Sequence, residues 1–279
     1  MSSLIPVDFA FLDSGTGGLP YMQYLREVNP TATCMYLADT KNFPYGQKTQ
    51  GEILVSAIAA VAAILTRYKP SVIVVACNTI SVTALDSLRK EFPTIPFVGT
   101  VPAIKLATKL TKNCHIGLLA TKSTVANPYT KRLENQFAQD CTVVERGDPD
   151  LVNFIEHNLE SASQVEIEKA IIPSINFFTE KNVDIIILGC THFLRIASQI
   201  QEVANKVSQS KHCQKIRVID SREGVVRQAI KVATQAMGTK KVDTNKEWNT
   251  FFYITGKEPS YKFYETLAKK AGITYGGLI

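Results

Sequence analysis

Short apolar runs alternate with longer amphipathic segments along most of the chain. The apolar runs predict buried strands at 7–12, 34–38, 71–76, 97–99, 115–120, 141–144, 184–188 and 216–219, the last clear one. The amphipathic segments predict helices at 19–28, 51–68, 81–92, 103–110, 129–139, 149–158, 164–180, 194–207 and 223–237. Strands that alternate with helices in this way are typical of parallel sheets covered on both faces. The pattern therefore predicts an α/β fold.

Two strand segments share one design. SVIVVACNT (71–79) and DIIILGCTH (184–192) are both apolar runs that end in a small residue, a cysteine and a threonine-containing segment. This duplication predicts two similar α/β lobes, each with its own mostly parallel sheet. We expect a discontinuous first lobe, 1–98 plus 222–279, and a second lobe, 99–221. The tail, 248–279, predicts a helix at 260–271 that packs back on the first lobe.

Composition and charge exclude several classes of function. The chain has 279 residues, is 45% hydrophobic and carries a net charge of +6. Its basic residues are scattered, and the densest cluster (Lys240, Lys241, Lys246) falls in a predicted surface loop, so we expect no nucleic-acid partner. The apolar stretch 53–65 is too short to span a bilayer and predicts a buried helix. With no export signal at the start of the sequence, we expect a cytoplasmic protein without a membrane partner.

Two of the six cysteines occupy chemically distinctive positions. Cys77 follows a buried strand and precedes Asn78 and Thr79, which we expect to cap the next helix. A thiol there meets the positive end of the helix dipole, which favours thiolate. Cys190 occupies the matching position in the second segment. A buried structural cysteine is the alternative for either position alone, and no C-x-x-C pair supports a zinc site.

Competing cysteine chemistries fit less well. A phosphatase loop would need arginine where the chain has Thr83 or Ile196. A cysteine–histidine hydrolase pair with His192 stays open in principle, but it leaves Cys77 unexplained. Two facing thiols suit a different reaction, in which one removes a proton from a carbon and the other returns one to the opposite face. Such a reaction inverts a stereocentre without a cofactor.

Two loops add candidate binding groups. The glycine turn at 13–18 has Pro20 where a dinucleotide fingerprint needs glycine, but it could form an anion nest for a carboxylate. A turn that is tight only for packing is the alternative. Asp13 is either an ordinary acid or a group that orients a substrate ammonium or tunes a thiol. In the loop at 42–46, the Tyr45 hydroxyl and the Gly46 N–H are candidate ligands.

These motifs together resemble one family. DSGTGGL (13–19), DTKNFPYG (39–46), VVACNT (74–79), LLAT (118–121), LGCTH (188–192), IDS (219–221) and FYITG (252–256) occur in the order and register of bacterial glutamate racemases. The resemblance covers nearly the whole chain. It implies two pseudo-symmetric lobes with the active site in the cleft between them. It also implies a cofactor-independent and metal-independent interconversion of L- and D-glutamate that supplies D-glutamate for peptidoglycan synthesis.

The resemblance also implies the site residues. Cys77 and Cys190 would be the catalytic thiols, with Asp13 supporting the first and Glu156 and His192 supporting the second. The substrate-binding set would be Asp13, Ser14, Tyr45, Gly46, Asn78, Thr79, Thr121, Thr191 and His192. The expected partner is glutamate itself, and a homodimer is an open alternative for the assembly.

Some positions depart from the family pattern or match it loosely. Glu156 rests on a loose match of DLVNFIE (150–156), and a solvent-facing helix acid is the alternative. The segment 100–103 lacks the acidic residue that often precedes its Pro-Ala pair, and Phe193 and Leu194 replace the usual residues after GCTH. The nearest rival is another enzyme of the superfamily, such as an aspartate racemase or a relative that acts on other 2-substituted acids. His192 is the discriminator, because aspartate racemases typically carry an acid there. A two-lobed amino-acid-binding protein is the rival that needs no cysteines.

Overall fold

The computed structural model describes residues 4–237, 250–257 and 261–279. The described strands are β1 (Ile5–Asp13), β2 (Cys34–Ala38), β3 (Tyr68–Val75), β4 (Phe97–Gly99), β5 (His115–Ala120), β6 (Thr142–Gly147), β7 (Ile185–Gly189), β8 (Arg217–Ile219), β9 (Phe251–Ile254) and β10 (Thr274–Leu278). The described helices are α1 (Leu19–Val28), α2 (Gln50–Arg67), α3 (Asn78–Glu91), α4 (Ile104–Leu110), α5 (Lys122–Ala126), α6 (Pro128–Phe137), α7 (Pro149–His157), α8 (Gln164–Glu180), α9 (Ala197–Ser210), α10 (Arg222–Met237) and α11 (Tyr261–Lys270).

The chain divides into two compact units, each with its own parallel sheet. One unit comprises Met1–Thr100 and Arg222–Ile279, and the other comprises Val101–Ser221. The first unit holds a six-stranded sheet in the order β10-β9-β2-β1-β3-β4, and the second holds a four-stranded sheet in the order β6-β5-β7-β8. Every described pair of neighbouring strands is parallel. The α/β prediction is confirmed.

Helix α2 forms much of the core beside the first sheet. It begins with a capping box in which the Thr49 hydroxyl accepts from the Glu52 N–H, while the Glu52 carboxylate accepts from the Thr49 N–H. Among the described residues it is the one helix long and apolar enough, by length and composition, to cross a membrane. However, Ile53, Val61 and Ile64 on one face are fully buried in the hydrophobic core of this unit. We therefore interpret α2 as a core helix.

Two strands, β9 and β10, follow 216–219, the last clear strand of the sequence pattern. Strand β9 pairs with β2, and β10 pairs with β9, so the tail extends the first sheet. Strand β10 escaped prediction because Gly276 and Gly277 are poor strand formers. At Gly276 a Cβ would lie only 2.3 Å from the Tyr253 ring, which explains why glycine stands there. The predicted tail helix is α11, whereas Lys240, Lys241 and Lys246 lie outside the described residues.

The second sheet is buried mainly through its two central strands. Strands β5 and β7 pair in register from Ile116 opposite Ile185 to Ala120 opposite Gly189. The helix predicted to begin at Leu194 instead begins at Ala197, after a 3-10 helix over Thr191–Ile196. Tight 3-10 turns are frequent at helix starts, and apolar periodicity alone does not separate them from the helix proper.

Candidate active site

Cys77 is the residue from which helix α3 begins. It occupies the N-cap position, separated from the end of β3 by Ala76, with an extended backbone conformation, and its carbonyl accepts from the Ser81 N–H at 2.9 Å. The prediction that Asn78 and Thr79 cap this helix was wrong, since both lie inside its first turn. The cysteine is itself the N-cap residue, so its thiol lies nearest the positive end of the helix dipole. The side chain is buried, with 4% exposed.

Asp13 organises the glycine turn beside Cys77. Its Oδ1 accepts from the Ser14 N–H at 2.7 Å, and its Oδ2 accepts from the Gly18 N–H at 2.7 Å. Two N–H groups of the predicted anion nest therefore bind the chain's own carboxylate. The Cys77 thiol donates to the Ser14 hydroxyl at 4.0 Å, and that hydroxyl lies 3.4 Å from Asp13 Oδ1. Asp13 thus reaches the thiol through Ser14.

The turn also needs glycine for packing. A Cβ at Gly18 would lie 2.7 Å from the Ala76 Cβ and 2.8 Å from the Ala76 carbonyl oxygen. Contacts this short do not occur, and the backbone at Ala76 cannot yield as a flexible side chain could. Gly18 therefore has two roles. It packs closely against Ala76, and its N–H binds Asp13.

Tyr45 is held by a carboxylate that the sequence analysis did not single out. Its hydroxyl donates to Asp39, which also accepts from the Asn42 amide at 3.0 Å and from the Thr255 hydroxyl at 2.6 Å. Burial first, and then the negative charge and hydrogen bond of Asp39, raise the pKa of Tyr45, so the phenol keeps its proton. The charge of Cys77 contributes in the same direction. Gly46 lies in the 3-10 turn Tyr45–Gln47.

The Asn78 side chain is the polar group of the first unit that most clearly indicates a ligand. It is 2% exposed, and neither its amide nitrogen nor its oxygen has a hydrogen-bond partner among the residues that the structure describes. A buried amide left without partners costs about 1–3 kcal/mol for each group. A buried amide of this kind needs an explanation, and a ligand that supplies the missing bonds is one. Thr79 is also buried in the first turn.

Cys190 stands at the equivalent position in the second unit. It follows β7 and occupies the N-cap of the 3-10 helix Thr191–Ile196, and its side chain is 4% exposed. Its sulfur lies 3.7 Å from His192 Nδ1, and His192 Nε2 lies 3.0 Å from Glu156 Oε2. These contacts form a buried chain from thiol to imidazole to carboxylate.

The charge of His192 depends on its two neighbours, Cys190 and Glu156. Burial lowers the pKa of His192, but hydrogen bonds and charge interactions with Cys190 and Glu156 outweigh it and raise that pKa to about 10. The imidazole is therefore cationic at neutral pH. Glu156 lies on α7 with only 1% of its surface exposed, so the alternative of a solvent-facing acid was wrong. His192 thus places a positive charge next to the Cys190 sulfur.

Thr121 and Thr191 border Cys190. Ala120 pairs with Gly189, so the residues that follow them, Thr121 and Cys190, leave adjacent strands at the same edge. The Thr121 hydroxyl caps α5 by accepting from the Thr124 N–H at 3.1 Å. Thr191 is buried. Ligands of parallel α/β sheets bind beyond the carboxyl ends of the strands, which is where these residues lie.

Comparison with known proteins identifies the family. The family model for Asp/Glu/hydantoin racemases matches residues 21–229. The chain belongs to the Asp/Glu/hydantoin racemase family. Membership makes the protein an isomerase of the racemase class, and the resemblance expected from the sequence motifs is confirmed.

Individual relatives extend this match along almost the whole chain. Glutamate racemase from Treponema pallidum is 34% identical over 97% of this chain and 96% of its own length. Glutamate racemase from Proteus mirabilis is 37% identical over 89% of this chain and 82% of its own length. Among solved structures, that of Escherichia coli glutamate racemase is similar with a TM-score of 0.82 and 29% identity, covering 98% of both chains.

Proposed function

We propose that this protein interconverts L- and D-glutamate, with Cys77 and Cys190 as the two acid/base groups on opposite faces of the substrate Cα. One observation carries the proposal. Each cysteine follows the carboxyl end of a buried strand, caps the helical turn behind it, and has its own polar neighbours. Two thiols placed alike in two separate sheets are hard to reconcile with a structural role for either. Relatives over nearly the full length are glutamate racemases.

The chemistry is difficult because the α-proton of an amino acid is far less acidic than a thiol, whose ordinary pKa is about 8.5. A thiolate can remove that proton only if the developing negative charge is stabilised. Helix N-termini, backbone N–H groups and a site shielded from water supply this stabilisation. Binding of the substrate carboxylate by such groups also limits the charge that accumulates on the carbanion.

The two thiols have different surroundings, which supports a division of labour. By resemblance to bacterial glutamate racemases, we assign to Cys190, which lies beside a cationic His192, the removal of the proton from L-glutamate. Cys77 donates to Ser14, and a protonated Cys77 is the acid that delivers a proton to the opposite face. For D-glutamate the roles reverse. Glu156 and Asp13 act as positioning residues behind His192 and Ser14.

Substrate recognition is assigned to groups at the carboxyl edges of the two sheets. We assign to Asn78 the direct binding of glutamate, because its buried amide offers one donor group and one acceptor without partners among the described residues. The E. coli glutamate racemase structure contains L-glutamate, which supports this class of ligand. The remaining proposed ligands are Ser14, Tyr45, Gly46, Thr79, Thr121, Thr191 and His192.

We propose further that the reaction needs neither a metal nor an organic cofactor, that it supplies D-glutamate for peptidoglycan synthesis, and that it takes place in the cytoplasm. The first test is incubation of the purified protein with L-glutamate in heavy water. We expect the circular dichroism signal to decay and the Cα proton to exchange, as seen by NMR. Both rates should be the same for protein dialysed exhaustively against EDTA as for undialysed protein. L-aspartate is the comparison substrate, and a faster reaction with it would transfer the assignment to an aspartate racemase.

A second experiment separates the two thiols. Serine keeps the shape of cysteine and still delivers a proton, but its far higher pKa makes it a poor base. Both Cys77→Ser and Cys190→Ser should therefore lose racemisation almost completely. A glutamate with a leaving group at Cβ undergoes elimination after the deprotonation step alone. Cys77→Ser should keep elimination from the L-analogue and lose it from the D-analogue, and Cys190→Ser should do the reverse. One variant that handled both analogues equally would contradict the two-thiol mechanism.

A further inference from the structure

A second pair of cysteines lies at the amino-terminal ends of two neighbouring strands. Cys114 directly precedes β5, and Cys141 directly precedes β6. The strands pair with His115 opposite Thr142, and the Thr142 N–H donates to the Cys114 carbonyl at 2.8 Å. The ladder thus extends to the two cysteines. Neighbouring strands lie about 4.8 Å apart, which falls within the Cα separation of roughly 4.4–6.8 Å that disulfides span.

The two cysteines are direct neighbours across the strand pair. Both are free, with Cys114 exposed and Cys141 half-buried. Cys114 has a φ of 58°, in the left-handed region that residues other than glycine rarely adopt. Its N–H donates to the Thr111 hydroxyl at 3.0 Å, which fixes this conformation. Backbone pairing and this local conformation therefore hold the two cysteines as neighbours.

The pair is separate from the candidate active site. Strand β5 runs from His115 to Ala120, so its six residues place Cys114 about 20 Å from Thr121 at the other end. A groove with a volume of about 430 Å³ opens beside Cys141 and gives a small molecule access. The other lining residues of this groove are Glu134, Asn135, Ala138, Gln139 and Val143.

We propose that Cys114 and Cys141 form a redox-modifiable dithiol, which closes to a disulfide by exchange with a low-molecular-weight disulfide such as oxidised glutathione. The Cys114 thiolate attacks one glutathione sulfur, the glutathione S–S bond breaks, and the first glutathione leaves as a thiolate that takes up a proton. Cys141 then loses its proton to solvent and attacks the Cys114 sulfur, expelling the second glutathione. Two protein thiols are oxidised, and one glutathione disulfide is reduced to two thiols.

The order of the two steps follows from the environment of each sulfur. Burial first, and then the hydrogen bond with Cys114, raise the pKa of the Cys141 thiol to about 11. Cys141 therefore keeps its proton while the exposed Cys114 makes the first attack. Reversible disulfides of this kind are the form in which cytosolic disulfides usually occur. The inference is independent of the proposed racemase activity, because neither cysteine belongs to that site.

The test uses the full chain in glutathione redox buffers of increasing oxidised fraction, with intact mass and peptide mapping as readouts. Wild type should lose the mass of two hydrogens, yield a peptide linked through Cys114 and Cys141, and recover on reduction with dithiothreitol. Cys141→Ser and Cys141→Ala should instead stop at a glutathione adduct on Cys114. Cys213→Ser, which removes another exposed cysteine, should behave as wild type.

Two results would overturn the proposal. The first is a glutathione adduct on Cys114 that persists in wild type as it does in the Cys141 variants. The second is a disulfide that joins any other pair of cysteines while Cys114 and Cys141 stay reduced. Because the wild-type protein alone can give either result, the test does not depend on the folding of a variant.

Discussion

Glu156→Gln is the substitution that best tests the thiol–imidazole–carboxylate chain. Glutamine keeps the size of the side chain and a hydrogen-bonding group 3.0 Å from His192, but it removes the buried negative charge. That charge is one of two influences that hold the pKa of His192 above its ordinary value, against burial. Without it the imidazole pKa falls, so the positive charge next to Cys190 is held less strongly. Proton removal from the substrate by Cys190 should therefore slow.

The magnitude follows from the strength of the lost interaction. A hydrogen bond to a charged partner is worth about 1.5–3 kcal/mol, which corresponds to a rate loss of roughly 10- to 100-fold. Racemisation cannot show which thiol is affected, however. The two enantiomers have equal free energies, so any variant must lower kcat/KM equally in both directions. The assay must report deprotonation alone.

Elimination from glutamate analogues with a leaving group at Cβ meets this need. Glu156→Gln should slow elimination from the L-analogue by roughly 10- to 100-fold and leave elimination from the D-analogue within about threefold of wild type. Alkylation by iodoacetamide is a second readout, because Cys77 and Cys190 are both 4% exposed and differ mainly in charge environment. Glu156→Gln should slow alkylation of Cys190 selectively.

Glu168→Gln is the matched control, since Glu168 is a surface partner of Lys206 and should affect neither analogue. Equal slowing of both analogues by Glu156→Gln would refute the argument, because it would show a general structural role. So would unchanged elimination from the L-analogue, which would mean that the charge of Glu156 does not reach Cys190.

Three further predictions concern stability. Tyr45→Phe removes a buried donor from Asp39 and should lower the free energy of unfolding in urea by about 1–2 kcal/mol; no change would mean that the remaining donors suffice. Gly18→Ala should destabilise the protein by roughly 1–3 kcal/mol, because its Cβ would clash at 2.7 Å. Gly51→Ala, in an open helical position, should be neutral or stabilising in the same urea experiment. Because the pKa of His192 is raised to about 10, its contribution to stability is complete below its unfolded pKa, about 6.5, and is lost as the pH rises towards about 10. Urea midpoints measured from pH 6 to pH 10 should show this loss in wild type and a smaller one in His192→Asn; parallel curves would contradict the assignment.

Much of the fold was predictable because periodicity is a local property of the chain. The bounds of α1, β2 and α8 were predicted to the residue, since each is a long apolar or amphipathic run with clear ends. The tail strands were not predictable in this way. Strand β9 has four residues and β10 contains two glycines, so both are recognisable as strands only when β2 offers an edge to pair with.

Some features of the candidate site could likewise be predicted from sequence, and others could not. The strand-to-helix transitions at Cys77 and Cys190 could be predicted from sequence, because both motifs place a cysteine directly after an apolar run. The role of Asp39 could not, since its contact with Thr255 joins residues 216 positions apart. DTKNFPYG and FYITG were both recognised as motifs, but only the folded structure shows that a hydrogen bond connects them. Burial of Glu156 likewise depends on how α7 packs, which a single helix face does not reveal.

The difference between the surroundings of the two thiols fits the symmetry of the proposed reaction. A two-base racemase must begin each turnover with one thiol protonated and the other ionised, so identical surroundings would leave that choice to chance. Here Cys77 donates to a hydroxyl, whereas Cys190 lies beside a cation that a buried carboxylate supports. Under the proposed assignment of the two thiols, the resting protein is prepared for L-glutamate. In that mechanism one turnover exchanges the protonation states and prepares the enzyme for D-glutamate. Return to the resting state then requires either the reverse reaction or proton exchange, and we expect the cation that Glu156 supports next to Cys190 to favour it.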